Sequence, residues 1–283
     1  MQDAYLPNEV IIKKITQLSV DTKLFTLAFK DKIYQGNFSF LNGQFAMVGI
    51  PGAGEAAYNI CSDPSASKKF WEIAVRKVGR LTSIMHQLKV GDSLWVRAPF
   101  GQGWPKLKNL QTANLLLVGG GCGFVPFRSV ALEILNDKKL LKNFQVKIFY
   151  GCSGFDYLIF KDEFVNWQKF FDVKLIFDKE KKLPKANKLF GVKCDLGLIT
   201  KLFDLYPITS DATAFLCGPA IMYKFVLEKL KQAGVPDQNI YLSLERRMDC
   251  GFGICQHCAC GDKYVCTDGP IFRYDKIKET ELI

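Results

Sequence analysis

Residues 114–127 of this 283-residue chain read NLLLVGGGCGFVPF. A short apolar run is typical of a strand buried on both faces, and the glycines that follow favour a tight turn into a helix. From here to residue 235, apolar strands alternate with amphipathic helices, which predicts a Rossmann-like α/β domain with a parallel sheet. The helices are predicted at FRSVALEILNDKKLLKN (127–143), DEFVNWQKFF (162–171), LGLITKLFD (196–204) and MYKFVLEKLKQAG (222–234).

The first hundred residues have a different pattern. Segments rich in β-branched and aromatic residues are separated by glycine, proline or asparagine, and one predicted helix, LTSIMHQLK at 81–89, interrupts them. This pattern predicts an antiparallel barrel or sandwich. The predicted strands are VIIKKITQLSV (10–20), KLFTLAF (23–29), QFAMVGI (44–50), WEIAVRKV (71–78) and SLWVRAPF (93–100). We therefore expect a β-rich domain over 1–106, an α/β domain over 107–235 and a small C-terminal module over 236–283.

Composition and charge narrow the class of protein. The N-terminal MQDAYLPNEV lacks the order of a secretory signal, and the longest apolar stretches are too short for a membrane span, so we expect a cytoplasmic protein. The net charge of the chain is +10. The densest run of lysines is interpreted as a solvated loop, and the alternatives are that it binds an acidic protein partner or substrate phosphates. Nucleic acid is not predicted as a partner, because the run lacks interleaved aromatics. The run consists of Lys179, Lys181, Lys182, Lys185 and Lys188.

Ten cysteines in a cytoplasmic chain need an explanation other than disulfides. Four of them, at Cys250, Cys255, Cys258 and Cys266, give the spacing C-x4-C-x2-C-x7-C. The first three match the plant-type 2Fe–2S spacing, in which a glycine-rich loop wraps the inorganic core. The alternative is a zinc site of four thiolates, or of three with His257. A fifth cysteine of the loop, Cys260, is interpreted as a spectator or as a substitute for Cys258. The loop glycines are Gly251, Gly253 and Gly261.

The glycine turn after the strand at 114–120 predicts a dinucleotide site. Glycines let the backbone approach a pyrophosphate, and the helix that follows offers free N–H groups. Two other predicted strands also end at glycine, and ligands of such sheets bind at the carboxyl ends of the strands. The candidate residues are Gly120, Gly121, Gly123, Gly151, Cys217, Gly218 and Pro219.

A third group of candidates lies in the β-rich half. Tyr58 is an aromatic residue with small polar neighbours, and the strand that follows ends near Arg76. Gly79 and Thr82 then stand at the start of a helix. This pattern predicts a flavin site whose phosphates lie at the helix start. The ordinary alternatives are a core tyrosine and a helix cap. The candidate residues are Tyr58, Asn59, Ile60, Ala74, Val75, Arg76, Gly79, Leu81 and Thr82.

The flavin segment, the glycine turn and the cysteine loop, in that order along the chain, resemble the ferredoxin–NADP reductase superfamily, in its branch with an added C-terminal 2Fe–2S domain. Within that branch, residues 245–250 and 266–272 are similar to the beta subunit of anaerobic sulfite reductase and to the gamma subunit of sulfhydrogenase. The flavin subunit of NAD-linked dihydroorotate dehydrogenase is a more distant relative.

The resemblance implies an antiparallel β-barrel that holds FAD, a nucleotide domain that binds NAD(P)H and a 2Fe–2S cluster. It places Tyr58, Asn59 and Ile60 beside the isoalloxazine, and Gly79 and Thr82 at the flavin pyrophosphate. For the nucleotide it implies Gly120, Gly121 and Gly123 at the pyrophosphate and residues 217–219 near the nicotinamide, and for the cluster it implies Cys250, Cys255, Cys258 and Cys266 as ligands. The chain departs from the family at Ala56, where many members carry an arginine, and at Asn59, where a serine is usual; the candidate replacements for the missing cation are Arg76 and Arg80.

A nicotinamide gives two electrons at once, a 2Fe–2S cluster accepts one, and a flavin bridges the two. The hydride passes directly to the flavin, so we assign no catalytic side chain. The sequence thus predicts an NAD(P)H-oxidising, electron-transfer subunit that feeds a separate catalytic reductase or hydrogenase subunit, with another iron–sulfur protein as a further candidate partner. The alternatives are the electron-transfer subunit of dihydroorotate dehydrogenase and a colourless zinc-stabilised nucleotide module. The choice between NADH and NADPH stays open. Asp178 would disfavour the 2′-phosphate of NADPH, whereas the lysines beyond it would attract that phosphate.

Overall fold

The structure, a computed structural model, describes residues 5–279 apart from the side chain of Lys185. The ends of the first and last predicted segments, residues 1–4 and 280–283, lie outside the described residues. The chain forms two compact units. The first comprises Met1–Trp104, Val125–Glu133 and Glu245–Ile271, and the second comprises Pro105–Phe124, Ile134–Leu244 and Phe272–Ile283.

The described residues form sixteen strands and seven α-helices. The strands are β1 (Asn8–Gln17), β2 (Thr22–Phe29), β3 (Phe45–Ile50), β4 (Gly54–Asn59), β5 (Trp71–Arg76), β6 (Ser93–Phe100), β7 (Asn114–Gly120), β8 (Gln145–Cys152), β9 (Asp172–Phe177), β10 (Lys188–Leu189), β11 (Val192–Leu196), β12 (Thr213–Cys217), β13 (Ile240–Ser243), β14 (Ala259–Cys260), β15 (Lys263–Tyr264) and β16 (Ile271–Arg273). The helices are α1 (Lys32–Asn37), α2 (Arg80–Met85), α3 (Val125–Asn136), α4 (Lys138–Asn143), α5 (Lys161–Trp167), α6 (Lys201–Leu205) and α7 (Ala220–Gln232).

The first unit is built on an antiparallel barrel. Its strands lie in the order β4-β3-β6-β1-β2-β5, and a bridge between Ile60 and Ile73 joins the two outer strands. Alternating apolar residues fill the interior, where Phe29 stacks on Trp71 at 5.7 Å between ring centroids and both are buried. The predicted antiparallel barrel is confirmed.

The second unit is built on an eight-stranded sheet in the order β10-β11-β9-β8-β7-β12-β13-β16. The neighbours from β11 to β13 are parallel, which confirms the predicted Rossmann-like sheet, and β10 is antiparallel to β11. β8, the next strand in the chain, pairs with one edge of β7, and the later strand β12 pairs with the opposite edge of β7. The direction of strand order therefore reverses between β7 and β12, the place where such sheets bind ligands.

Two predicted helices differ from the structure. The helix predicted at 127–143 is divided into α3 and α4, because the side chain of Asp137 caps α4 by accepting hydrogen bonds from the N–H groups of Lys139 and Leu140. The helix predicted at 196–204 contains the end of β11, a turn and most of α6, since Gly197 takes a φ of 128°. Within residues 5–279, no helix combines the length and apolarity needed to cross a membrane.

Candidate functional site

The cysteine loop, residues 250–266, follows β13 and contains one short hairpin, β14 with β15. Gly251, Gly253 and Gly261 have positive φ angles of 83°, 74° and 62°, a backbone region that favours glycine. These glycines allow backbone N–H groups to turn toward the cysteine sulfurs. Gln256, between two of the cysteines, also has a positive φ, of 62°.

Backbone N–H groups donate to the sulfurs of this loop. Phe252 N–H and Cys255 N–H donate to Cys250 Sγ at 3.3 and 3.5 Å, and Gly253 N–H donates to Cys266 Sγ at 3.1 Å. Burial raises the pKa of the Cys250 thiol, but the N–H donors outweigh it and bring that pKa down to about 6. The loop therefore stabilises a thiolate, the form in which cysteine binds a metal.

The four predicted ligands influence one another's titration. The Cys255 side chain helps to lower the pKa of Cys250. Burial, together with the Cys258 thiol, raises the pKa of Cys266 to about 12. Four thiols suit two iron atoms with two cysteines on each.

Zinc, the alternative metal, binds thiolate ligands at about 2.3 Å. Within residues 5–279, the group of three metal-ligating side chains with ligand atoms inside 4.8 Å of one another is Asp249, Cys255 and His257, which includes one cysteine. His257 Nδ1 contacts the Asp249 carboxylate on an exposed part of the loop.

The cysteine loop is attached to the barrel within the first unit. Gln102, just after β6, donates from its backbone N–H to Gly269 O at 2.5 Å and from its side chain to Thr267 O at 3.0 Å. A Cβ at Gly101 would lie 2.6 Å from Gly269 O, so glycine permits this close approach. Cys260, the predicted spectator, is buried in β14.

The candidate flavin residues lie on two strands of the barrel and on α2. Tyr58 packs its ring against the barrel core, and burial raises the pKa of its hydroxyl to about 12. Asn59 donates to Gly43 O at 3.3 Å, and Ile60 and Val75 are buried in the core. Ala74 lies beside Val75 in β5.

The start of α2 is a cap built from its own residues. The Thr82 hydroxyl accepts hydrogen bonds from Val78 N–H at 3.0 Å and from Gly79 N–H at 2.9 Å. Leu81, between them, packs against the barrel core. Thr82 is thus the third residue of α2, and its side chain caps the preceding N–H groups, rather than being an N-cap itself.

The two arginines considered for the flavin phosphates differ in their surroundings. Arg76 is ion-paired with Asp21 at 2.7 Å. The exposed Arg80 extends its guanidinium to 3.4 Å from the Gly52 carbonyl. Arg80 is therefore the better candidate for a phosphate contact.

A cleft of 440 Å³ lies in the second unit at the carboxyl ends of the parallel strands, where the strand order reverses. Four of the predicted nucleotide residues line it: Gly120, Gly121, Gly151 and Pro219. Asp178 and Lys179 line it as well, and three large exposed apolar side chains on its wall are Leu198, Ile221 and Phe225. The cleft thus combines glycine-bordered backbone with an apolar wall, as a dinucleotide requires.

The other predicted nucleotide residues, Gly123, Cys217 and Gly218, do not line the cleft but pack next to the residues that do. A Cβ at Gly123 would lie 2.4 Å from Cys217 O, and one at Gly218 would lie 2.6 Å from Met222 Cε. Cys217 is buried at the end of β12. Glycine at 123 therefore permits the turn after β7 to approach β12.

Tyr223 was not predicted as a site residue. Its buried hydroxyl accepts from Gly218 N–H at 3.2 Å and donates to Ser243 O at 2.5 Å, so it links the turn after β12 to the end of β13. The only sequence signal was a tyrosine early in a predicted helix, which is more often a core residue.

Comparisons with known proteins match all three parts of the chain. Residues 9–104 match the oxidoreductase FAD-binding domain, residues 117–228 match the oxidoreductase NAD-binding domain, and residues 245–278 match the iron–sulfur cluster binding domain of dihydroorotate dehydrogenase B. Sulfhydrogenase 2 subunit gamma of Pyrococcus furiosus is 35% identical, covering 95% of this chain and 96% of the relative. The probable dihydroorotate dehydrogenase B electron transfer subunit of Pyrococcus horikoshii is 30% identical, covering 96% and 92%.

The chain belongs to the family that includes the sulfhydrogenase gamma subunits and the dihydroorotate dehydrogenase B electron transfer subunits. A solved structure of NADH-dependent reduced ferredoxin–NADP oxidoreductase shows the same fold, with a TM-score of 0.71 and 24% identity over 99% of this chain and 94% of that one. The family resemblance inferred from the motifs is therefore confirmed. As a member of this electron-transfer family, the chain is an NAD(P)H-dependent flavin and iron–sulfur oxidoreductase subunit.

Proposed function

We propose that this chain oxidises NAD(P)H in the cleft of the second unit and delivers single electrons to a separate catalytic subunit. The observation that carries the proposal is the cysteine loop, whose backbone N–H groups donate to the sulfurs of Cys250 and Cys266, in a chain that also has flavin and nucleotide domains. Bound FAD accepts two electrons from a nicotinamide, and a 2Fe–2S cluster carries one at a time.

The protein's own contribution is binding, orientation and charge stabilisation. Gly120 and Gly121 let the backbone approach the nucleotide pyrophosphate, and Leu198, Ile221 and Phe225 offer an exposed apolar wall that a bound nucleotide would cover. We propose that Tyr58 and Asn59 contact the flavin ring, with Ala74 and Leu81 near them, and that the buried Ile60 and Val75 support them from the barrel core. Gly79, Thr82 and Arg80 would hold the flavin phosphates. The N–H donors of the cysteine loop stabilise negative charge on the sulfurs.

The first test is an anaerobic visible spectrum before and after addition of NADH and then NADPH. Flavin and iron–sulfur absorbance that bleaches with one nucleotide is the expected result and identifies the donor. A colourless protein containing zinc would contradict the proposal. Colour that neither nucleotide bleaches would contradict the assignment of the donor.

We propose that the partner is the catalytic part of a sulfite- or sulfur-reducing hydrogenase-type complex. Two sulfhydrogenase gamma subunits, at 35% and 34% identity, match this chain more closely than the dihydroorotate dehydrogenase subunits, at 29% to 32%. The second candidate is the catalytic subunit of dihydroorotate dehydrogenase, because the cysteine loop matches the cluster domain of that enzyme. We also propose that the complex works in the cytoplasm, where free thiols such as those of Cys152 and Cys194 persist.

The partner can be identified by copurification. The tagged chain would be isolated anaerobically from its source, and the bound subunits tested for NAD(P)H-dependent reduction of polysulfide, sulfite or orotate. Reduction of sulfite or polysulfide is the expected result. Reduction of orotate would favour the second candidate instead.

A further inference from the structure

Arg97 lies in β6 and is 7% exposed. A buried guanidinium is costly unless charged and polar groups surround it. Arg97 is in the first unit, together with the cysteine loop, and the proposed function gives it no role. Its contacts therefore need an explanation of their own.

The guanidinium of Arg97 connects the barrel to the cysteine loop. It forms an ion pair with Glu55 of β4. It donates to Cys250 O at 2.7 Å and to Asp249 O at 3.3 Å. One side chain thus holds a carboxylate of the barrel and two consecutive carbonyls at the start of the loop.

Two aromatic rings enclose the same guanidinium. Its central carbon lies 5.6 Å from the ring centroid of Phe100 and 5.5 Å from that of Phe252. The two rings meet edge to face at 5.1 Å, and Tyr5 packs on Phe252 at 4.7 Å. Cation–π contacts of this kind strengthen when they are shielded from water.

These contacts fix the part of the loop that carries the N–H donors. Arg97 holds the carbonyl of Cys250 and the ring of Phe252, while the N–H of Phe252 donates to Cys250 Sγ. The next residue, Gly253, donates to Cys266 Sγ. A change at Arg97 would therefore reach the sulfurs of both Cys250 and Cys266 through residues 250–253.

We propose that Arg97 is a positioning residue for the iron–sulfur cluster, and that the Arg97–Glu55 pair sets the charge which the cluster senses. Reduction adds one negative charge to a cluster, so a nearby cation raises its reduction potential and a nearby anion lowers it. This inference rests on the proposed function, since it requires a cluster on the loop.

The test compares Arg97→Gln, Glu55→Gln and the control Arg246→Gln, which removes an exposed arginine four residues before Cys250. Two properties are measured: amide hydrogen exchange of residues 250–255, and the midpoint potential of the cluster followed by electron paramagnetic resonance. The FAD content of each variant reports whether the barrel has folded.

Arg97→Gln is expected to increase amide exchange in the loop at least tenfold and to lower the midpoint potential. Glu55→Gln is expected to raise the potential, with the loop amides still protected. A merely structural role would change stability without opposite shifts of potential.

The inference is overturned if Arg97→Gln matches Arg246→Gln in both exchange and potential. If Arg97→Gln fails to bind FAD, Glu55→Gln decides, and an unchanged or lower potential overturns the inference. A wild-type protein without iron–sulfur absorbance would instead contradict the proposed function, so the two failures are distinguishable.

Discussion

Gly123 is the residue at which backbone geometry limits the nucleotide cleft most directly. A Cβ there would lie 2.4 Å from Cys217 O and 2.6 Å from Gly218 Cα, both of them backbone atoms. Gly123→Ala is expected to separate the turn after β7 from β12, to cost about 1–3 kcal/mol of stability and to weaken NAD(P)H binding at least tenfold. Binding is measured by titration of flavin reduction.

Gly36→Ala is the matched control for this substitution. Gly36 lies in α1, and a Cβ there would meet no atom within 4 Å. The control should keep wild-type nucleotide affinity. Equal affinity of the Gly123→Ala variant and this control would show that the close approach is not required.

Tyr58 should make stability depend on pH in the alkaline range. Burial raises the pKa of its hydroxyl to about 12, whereas an unfolded tyrosine has a pKa of about 10. The protonated form is therefore favoured in the folded state, so its stabilisation is complete below about pH 10 and is lost as the pH rises toward 12. The free energy of unfolding should fall more steeply over this range in wild type than in Tyr58→Phe, by up to about 2 kcal/mol.

Denaturant titrations across this pH range measure the slope. Tyr157→Phe, which alters an exposed tyrosine, is the control and should retain the wild-type slope. A Tyr58→Phe variant with the wild-type slope would contradict the prediction.

At the scale of elements, we expect serine substitutions at two neighbouring cysteines of the loop to affect cluster binding differently. Cys258 belongs to the C-x4-C-x2-C-x7-C spacing of the predicted ligands and influences the pKa of Cys266, whereas Cys260 lies in the short strand β14. Cys258→Ser is expected to lose most of the bound iron and acid-labile sulfide, and Cys260→Ser to keep both. Metal analysis of anaerobically purified protein measures the difference, and loss of iron from Cys260→Ser alone would mean that the two cysteines exchange roles.

The elements also show which patterns in the sequence were sufficient. The strand predicted at 93–100 has the same bounds in the structure, because residues 93–96 alternate between solvent and the barrel core. β10, with two residues, and β13, with four, are too short for a periodic signal and form because neighbouring strands pair with them. The break at Asp137 was missed because a capping aspartate resembles an ordinary polar residue inside an apparently continuous helical pattern.

The candidate site was predictable wherever chemistry depends on spacing along the chain. The four cysteines and the glycine turn are of this kind. Arg97 was missed because its partners, Glu55 and Cys250, are 42 and 153 residues away in the chain. Tyr223 was missed for a similar reason, since Ser243 is 20 residues away.

At the scale of the whole molecule, the net charge of +10 should influence electron transfer to small acceptors. A basic surface attracts anions, and salt screens this attraction over a Debye length of about 10 Å at 0.1 M. The second-order rate of ferricyanide reduction should fall several-fold between low and high salt, while the rate with a neutral quinone should change little. Stopped-flow measurements with both acceptors test this, and an equal dependence on salt would contradict it.

The crowding of four cysteines into residues 250–266 has a consequence for the stability of the protein in air. When iron leaves the loop, four thiols remain close together in the chain. Each pair of thiols can then give up two electrons and two protons to dioxygen and close as a disulfide, so a fully oxidised chain would be about 4 Da lighter. Such a chain would hold two covalent links where the metal had been, and it would take up iron again only after treatment with a thiol reductant.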